Sequence, residues 1–159
     1  MIPLIFNLIF GHFTNKQSTS DNQVFKNYEA FSKKVVPANF VLTDTKYEPF
    51  GVDMPPAVDQ TFRISSTRKA ITEEFKQRLE SKGYSFRPAI YSSGSYSDGQ
   101  YFFRDTTDRI YPAAIQIVFT PSDTICNNPS PDVMMQCVSH NPLSTVTEVN
   151  IAWEARVGD

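Results

Sequence analysis

The stretch STVTEVNIAWEARV, from Ser144 to Val157, is the clearest strand pattern in the sequence. Its apolar side chains occupy alternate positions, at Val149, Ile151, Trp153, Ala155 and Val157. Its polar side chains fill the positions between them, at Glu148, Asn150, Glu154 and Arg156. This strict alternation predicts a β-strand with one buried and one hydrated face, which is typical of an antiparallel sheet.

Other segments upstream have the composition of strands, namely residues 40–47, 61–64, 84–91, 100–104 and 113–119. The dipeptide Asp98-Gly99 stands between two of them and is a strong hairpin-turn signal. We therefore expect residues 84–91 and 100–104 to be antiparallel neighbours.

Two helices are predicted, one at about 67–82 and one at about 22–35. The first has an apolar stripe at every fourth position, at Ile71, Phe75 and Leu79. Ser65 or Ser66 is placed to cap its start, and Gly83 is placed to end it in a left-handed conformation. Because strands come in runs and do not alternate regularly with helices, the fold class is α+β. We expect an antiparallel sheet of four to six strands, with the 67–82 helix packed on one face.

The size of the chain, 159 residues, suits a single α+β domain over residues 16–159, preceded by a separate apolar segment, residues 1–15. The net charge of −2 provides no global attraction for nucleic acid. Basic residues do concentrate between Arg63 and Arg87, but pairs such as Glu74 with Arg78 favour an ordinary solvated helix face.

The first ten residues, MIPLIFNLIF, form an apolar run that is too short to span a bilayer. Three interpretations remain open. In the first, the run is an atypical export signal, without the usual basic start and cleavage site. Alternatively, it is a docking segment for a membrane surface or a partner, or it is an internal strand.

The only two cysteines, Cys126 and Cys137, flank a polar, proline-containing stretch between the last two long strands. We interpret them as a disulfide, which requires an oxidising compartment such as the periplasm, the cell envelope or the extracellular space. Two alternatives remain open. In the first, both thiols are reduced. In the second, they form part of a zinc site with His140, although such a site would lack the fourth protein ligand that structural zinc normally has.

No constellation of residues predicts catalysis. His140 could act as a general base for Ser139 or a cysteine, but a surface histidine is the simpler interpretation. Phosphate-binding glycine loops, dinucleotide fingerprints and acidic calcium loops do not occur in the sequence. We therefore expect no cofactor and no metal.

The segment from Tyr91 to Phe103 mixes aromatic residues with Ser and Gly, a composition suited to adaptable contact surfaces. Cross-strand aromatic packing within a hairpin is the structural alternative. The residues predicted to form an interaction surface are Tyr91, Tyr96, Tyr101, Phe103, Met134 and Met135.

The sequence thus favours an exported, non-enzymatic protein that binds other proteins, as a component of a cell-envelope or secretion-type assembly. Two other classes remain open. One is an inhibitor or immunity protein that blocks a partner enzyme, and the other is a small hydrolase that uses His140.

Overall fold

A computed structural model describes residues 21–51, 54–88, 99–106, 109–121, 124–127, 136–139 and 143–155. For residues 87–88, 99, 124–127 and 136–139 the description is limited to the backbone. Helix α1 occupies residues 21–35 of this part of the chain. The remaining elements are β1 Val41–Glu48, β2 Ala57–Thr67, α2 Arg68–Glu80, β3 Ser85–Pro88, β4 Gly99–Phe103, β5 Ala114–Thr120, β6 Thr124–Asn127, β7 Gln136–Ser139 and β8 Thr145–Glu154.

Six of the strands form one open sheet in the order β1-β2-β8-β5-β4-β3, and every neighbouring pair is antiparallel. Strands β6 and β7 form a separate two-stranded ribbon. The α+β class, the antiparallel sheet and both helices are therefore confirmed.

Strand β8 lies in the middle of the sheet, between β2 and β5. Its alternation has the predicted effect, because Val149, Ile151 and Trp153 are fully buried while Glu148 remains exposed. The helices cover the same face of the sheet. The Phe31 ring of α1 meets Trp153 edge-on at 5.9 Å, and Phe75 of α2 meets Phe40, just before β1, at 5.7 Å.

Helix α2 buries its predicted stripe completely, with Ile71, Phe75 and Leu79 at 0–1% exposure. The predicted C-terminal glycine is also confirmed, because Gly83 has a φ of 84°, a conformation that side chains with a Cβ rarely adopt. The predicted capping residue was wrong. The hydroxyl of Thr67 accepts the hydrogen bond from the Ala70 amide, at 3.2 Å.

Strand β2 explains that difference. It runs for 11 residues, and Ser66 and Thr67 still pair with Val146 and Thr145 of β8. Both serines proposed as caps are therefore inside the strand, and the helix can begin only after Thr67.

Candidate functional site

The predicted contact residues Tyr101 and Phe103 lie next to each other on one face of β4. Their neighbours in sequence, Gln100 and Phe102, are buried towards the helices. Because side chains alternate along a strand, Tyr101 and Phe103 project from the opposite face, which we call the outer face. Both are half-buried, and their ring centroids are 4.4 Å apart.

Carboxylates from the middle of the sheet share this outer face. The Tyr101 hydroxyl donates to Oε2 of Glu154 at 3.4 Å, crossing β5. The register explains this reach. Ala114 of β5 pairs with Phe103 of β4 on one side and with Glu154 of β8 on the other, so a small side chain lies between Glu154 and β4. Burial, and then the neighbouring Glu154 charge, raises the pKa of Tyr101 to about 12.

Burial also raises the pKa of Glu154 above its usual range, and the charges of Asp59 and Glu48 add to that effect, while the hydrogen bond from Tyr101 opposes it. Asp59 behaves similarly. Its pKa is raised first by burial and then by Glu48, and is lowered by Lys46, its partner on β1. The outer face therefore combines an aromatic pair with carboxylates that lack full hydration.

This chemistry suits contact with a protein surface. Tyrosine and phenylalanine provide large contact areas at low conformational cost. Partly dehydrated carboxylates gain from a basic partner, which would replace the water that they have lost. Among the described residues, no group of three or more His, Cys, Asp and Glu side chains could hold a metal ion.

The backbone places the two cysteines opposite each other. Cys126 of β6 and Cys137 of β7 are Cα partners in the antiparallel ribbon. Opposed residues in such a pair have Cα atoms about 4.5–5.5 Å apart, and disulfides span Cα separations of about 4.4–6.8 Å. The register is therefore compatible with a cross-strand disulfide.

Arg68 bonds to both ends of the segment that contains this ribbon, residues 121–144, which we call the excursion. The excursion leaves the sheet after β5 and returns at β8. Nε of Arg68 donates to Oγ of Ser144 at 2.7 Å, Nη2 donates to the carbonyl of Pro121, and the guanidinium lies over the Phe119 ring. Arg68 is only 3% exposed. It therefore departs from the solvated face predicted for the basic residues of this region, whereas Glu74 and Arg78 form the predicted surface pair at 2.9 Å.

A groove of about 370 Å³ lies between α1 and β1. The rings of Phe25 and Tyr47 line it, 5.3 Å apart, together with Asn22, Lys26 and Glu29. The Tyr47 hydroxyl donates to Oε1 of Glu29, and this bond raises the pKa of Tyr47.

Several predicted residues lie outside the described residues, namely the segment 1–15, Tyr91, Tyr96, Met134, Met135 and His140. Tyr101 and Phe103 are the members of the predicted surface that the structure brings together. Sequence reasoning missed Glu154 as a neighbour of Tyr101, and Asp59 as a neighbour of Glu154. The pairings that bring them together, β2 with β8 and β8 with β5, join residues far apart in the chain.

No protein-family model, curated protein or solved structure matches this chain. Within the part of the chain that the structure describes, helices of the length and apolar character needed to cross a membrane are absent.

Proposed function

We propose that this chain is an exported, non-enzymatic protein that binds other proteins, as a structural or accessory component of a cell-envelope or secretion-type assembly. The observation that carries the contact role is the Tyr101–Phe103 pair on the outer face, opposite both helices. Glu154 and Asp59 on the same face favour a partner that presents Arg or Lys side chains.

The register of the ribbon supports the export part of the proposal. Opposed residues on paired antiparallel strands have Cα separations within the range that disulfides span. A disulfide persists in oxidising compartments and is rare in the cytosol.

Co-purification from the native source tests the contact role. The tagged wild-type chain is expected to retain a stable set of several proteins, identified by mass spectrometry. The double variant Tyr101→Ser with Phe103→Ser is expected to lose them. The control is Leu143→Ser. Leu143 is 66% exposed, and this substitution removes a large apolar side chain from another part of the surface.

The fluorescence of Trp153, which is the single Trp of the chain and fully buried, reports whether each variant is folded. Loss of the partners by a folded double variant supports the proposal. A single enzyme as the only partner would favour the inhibitor role instead, and no partner at all would contradict both.

Fractionation and intact mass test the export part. Protein taken directly from its native source is expected outside the cytosol, and reduction is expected to add two hydrogen atoms to its mass. A cytosolic pool whose mass is unchanged by reductant would contradict export.

A further inference from the structure

Strand β1 is an edge of the sheet with an unusual amount of exposed apolar surface. Eight large apolar side chains are exposed among the described residues, and five of them belong to β1 and the connection that follows it. These five form what we call the edge strip, namely Val41, Leu42, Tyr47, Phe50 and Met54, at 43–60% exposure. Among the described residues β1 pairs only with β2, and none of them pairs with its other edge.

Charges on β1 distinguish between the possible occupants of that edge. Asp44 and Lys46 project from the same face of the strand, with Nζ and Oδ2 4.0 Å apart. A lysine on an edge strand ordinarily discourages pairing with other chains. Here the lysine has an acid two residues away, and the order of the two charges matches an antiparallel copy of the same strand.

Among the registers that pair more than half of β1 with its copy, the match holds in one. When two copies of β1 pair antiparallel about Thr45, Asp44 of each copy faces Lys46 of the other. A shift of two residues in one direction places Lys46 opposite Lys46 and Asp44 opposite Glu48. The opposite shift places Asp44 opposite Asp44. Like charges directly opposed destabilise strand pairing, whereas opposite charges stabilise it.

We propose that β1 pairs with β1 of a second copy of this chain, in the register centred on Thr45, and joins two six-stranded sheets across a two-fold axis. The two-fold axis makes the contact self-complementary, as closed dimers require. Pairing also covers part of the edge strip, because Val41, Leu42 and Tyr47 lie on the strand that becomes internal. This inference does not depend on the partner proposed for the outer face.

Charge reversal tests the register with the purified full chain. Sedimentation velocity over a concentration series reaching roughly 1 mM is expected to show a wild-type dimer. Asp44→Lys and Lys46→Asp are each expected to be monomeric, because every charge then faces a like charge. An equimolar mixture of these two variants is expected to form a heterodimer, since their charges are complementary.

The doubly exchanged chain, with Asp44→Lys and Lys46→Asp together, is expected to dimerise as wild type does. Lys69→Glu is the control, since Lys69 is an exposed lysine on α2 and its replacement should leave the dimer intact. A wild-type chain that stays monomeric throughout would overturn the proposal. So would single variants that dimerise normally, or a mixture of them that remains monomeric.

Loss of the dimer and loss of co-purifying proteins are separate results. The first is measured on the isolated chain with changes on β1, and the second on the native assembly with changes on β4. Either proposal can therefore fail while the other stands.

Discussion

At the scale of single residues, Gln60 is a buried polar side chain that links α1, β2 and β8 inside the core. Its Oε1 accepts from Oγ of Ser32 on α1 at 2.6 Å and from Nε1 of Trp153 on β8 at 2.9 Å. All three side chains are at least 95% buried. This oxygen therefore contributes to the position of α1 on the sheet, together with the buried apolar side chains of the helix, since a shifted helix would separate the Ser32 hydroxyl from this acceptor.

Gln60→Leu should consequently be costly although it adds apolar volume to a core. The Trp153 N–H and the Ser32 hydroxyl would both lose their acceptor, and we expect the free energy of unfolding to fall by about 1–3 kcal/mol. Urea denaturation measures the change. Gln77→Leu on the exposed side of α2 is the control, with an expected change within about 0.5 kcal/mol. Equal stability of the two variants would contradict the role assigned to Gln60.

Glu154 is expected to give stability a pH dependence of unusual sign. Its pKa is raised in the folded chain, first by burial, so the folded state holds this proton more tightly than the unfolded state does. Stability therefore falls as pH rises from the ordinary carboxyl range through the raised pKa. Glu154→Gln should be more stable than wild type at neutral pH and should lose less stability across this range.

Denaturant unfolding from about pH 4 to about pH 7, followed by Trp153 fluorescence, measures this difference. Glu148→Gln provides the control, because Glu148 is an exposed residue on the same strand. A Glu154→Gln variant that is less stable than wild type at neutral pH would show that ionised Glu154 contributes favourably.

At the scale of elements, the start of α2 depends on Thr67. Its hydroxyl accepts from the Ala70 amide, while Ser65 and Ser66 belong to β2. Thr67→Ala should lower the free energy of unfolding by about 1 kcal/mol, the usual cost of losing a side-chain N-cap. Ser65→Ala should change it much less, and thermal unfolding of the two variants measures the difference. A larger loss for Ser65→Ala would contradict the observed helix start.

The excursion between β5 and β8 depends on Arg68 in a similar way. Arg68→Met keeps much of the contact with Phe119 but removes the donors to Ser144 and Pro121. We expect a loss of about 2 kcal/mol, because hydrogen bonds to charged groups are the stronger ones. Hydrogen exchange should also become faster in β6 and β7.

Lys69→Met, on an exposed neighbour in α2, is expected to leave both the stability and the exchange rates unchanged. Unchanged exchange in β6 and β7 in the Arg68→Met chain would show that the ribbon keeps its order without this anchor.

These elements show why periodicity predicted some parts of the structure and not others. Helix α2 and strand β8 each contain enough residues to repeat their apolar pattern several times. Strands β6 and β7 have four residues each, too few for an alternation to stand out, so the sequence predicted only a polar stretch there. Arg68 was missed because its burial depends on Ser144 and Pro121, which are distant in the chain.

At the scale of the whole molecule, the sheet order could not be derived from local patterns. Strand β8 follows all the others in the chain and yet lies between β2 and β5. That insertion places Glu154 within reach of Tyr101 on the outer face, with Asp59 on the next strand beside Glu154. The aromatic half of this site was predictable from the composition of residues 91–103, whereas its carboxylates were not.

The most direct test of the contact role is an oxidative footprint of the outer face, compared between the isolated chain and the native assembly. In the isolated chain, hydroxyl radicals should modify Tyr101, Phe103, Ile110 and Leu143. In the native assembly, Tyr101 and Phe103 should be protected, while Leu143 and Ile110 keep their reactivity. Equal modification of Tyr101 and Phe103 in both samples would contradict the proposed contact surface.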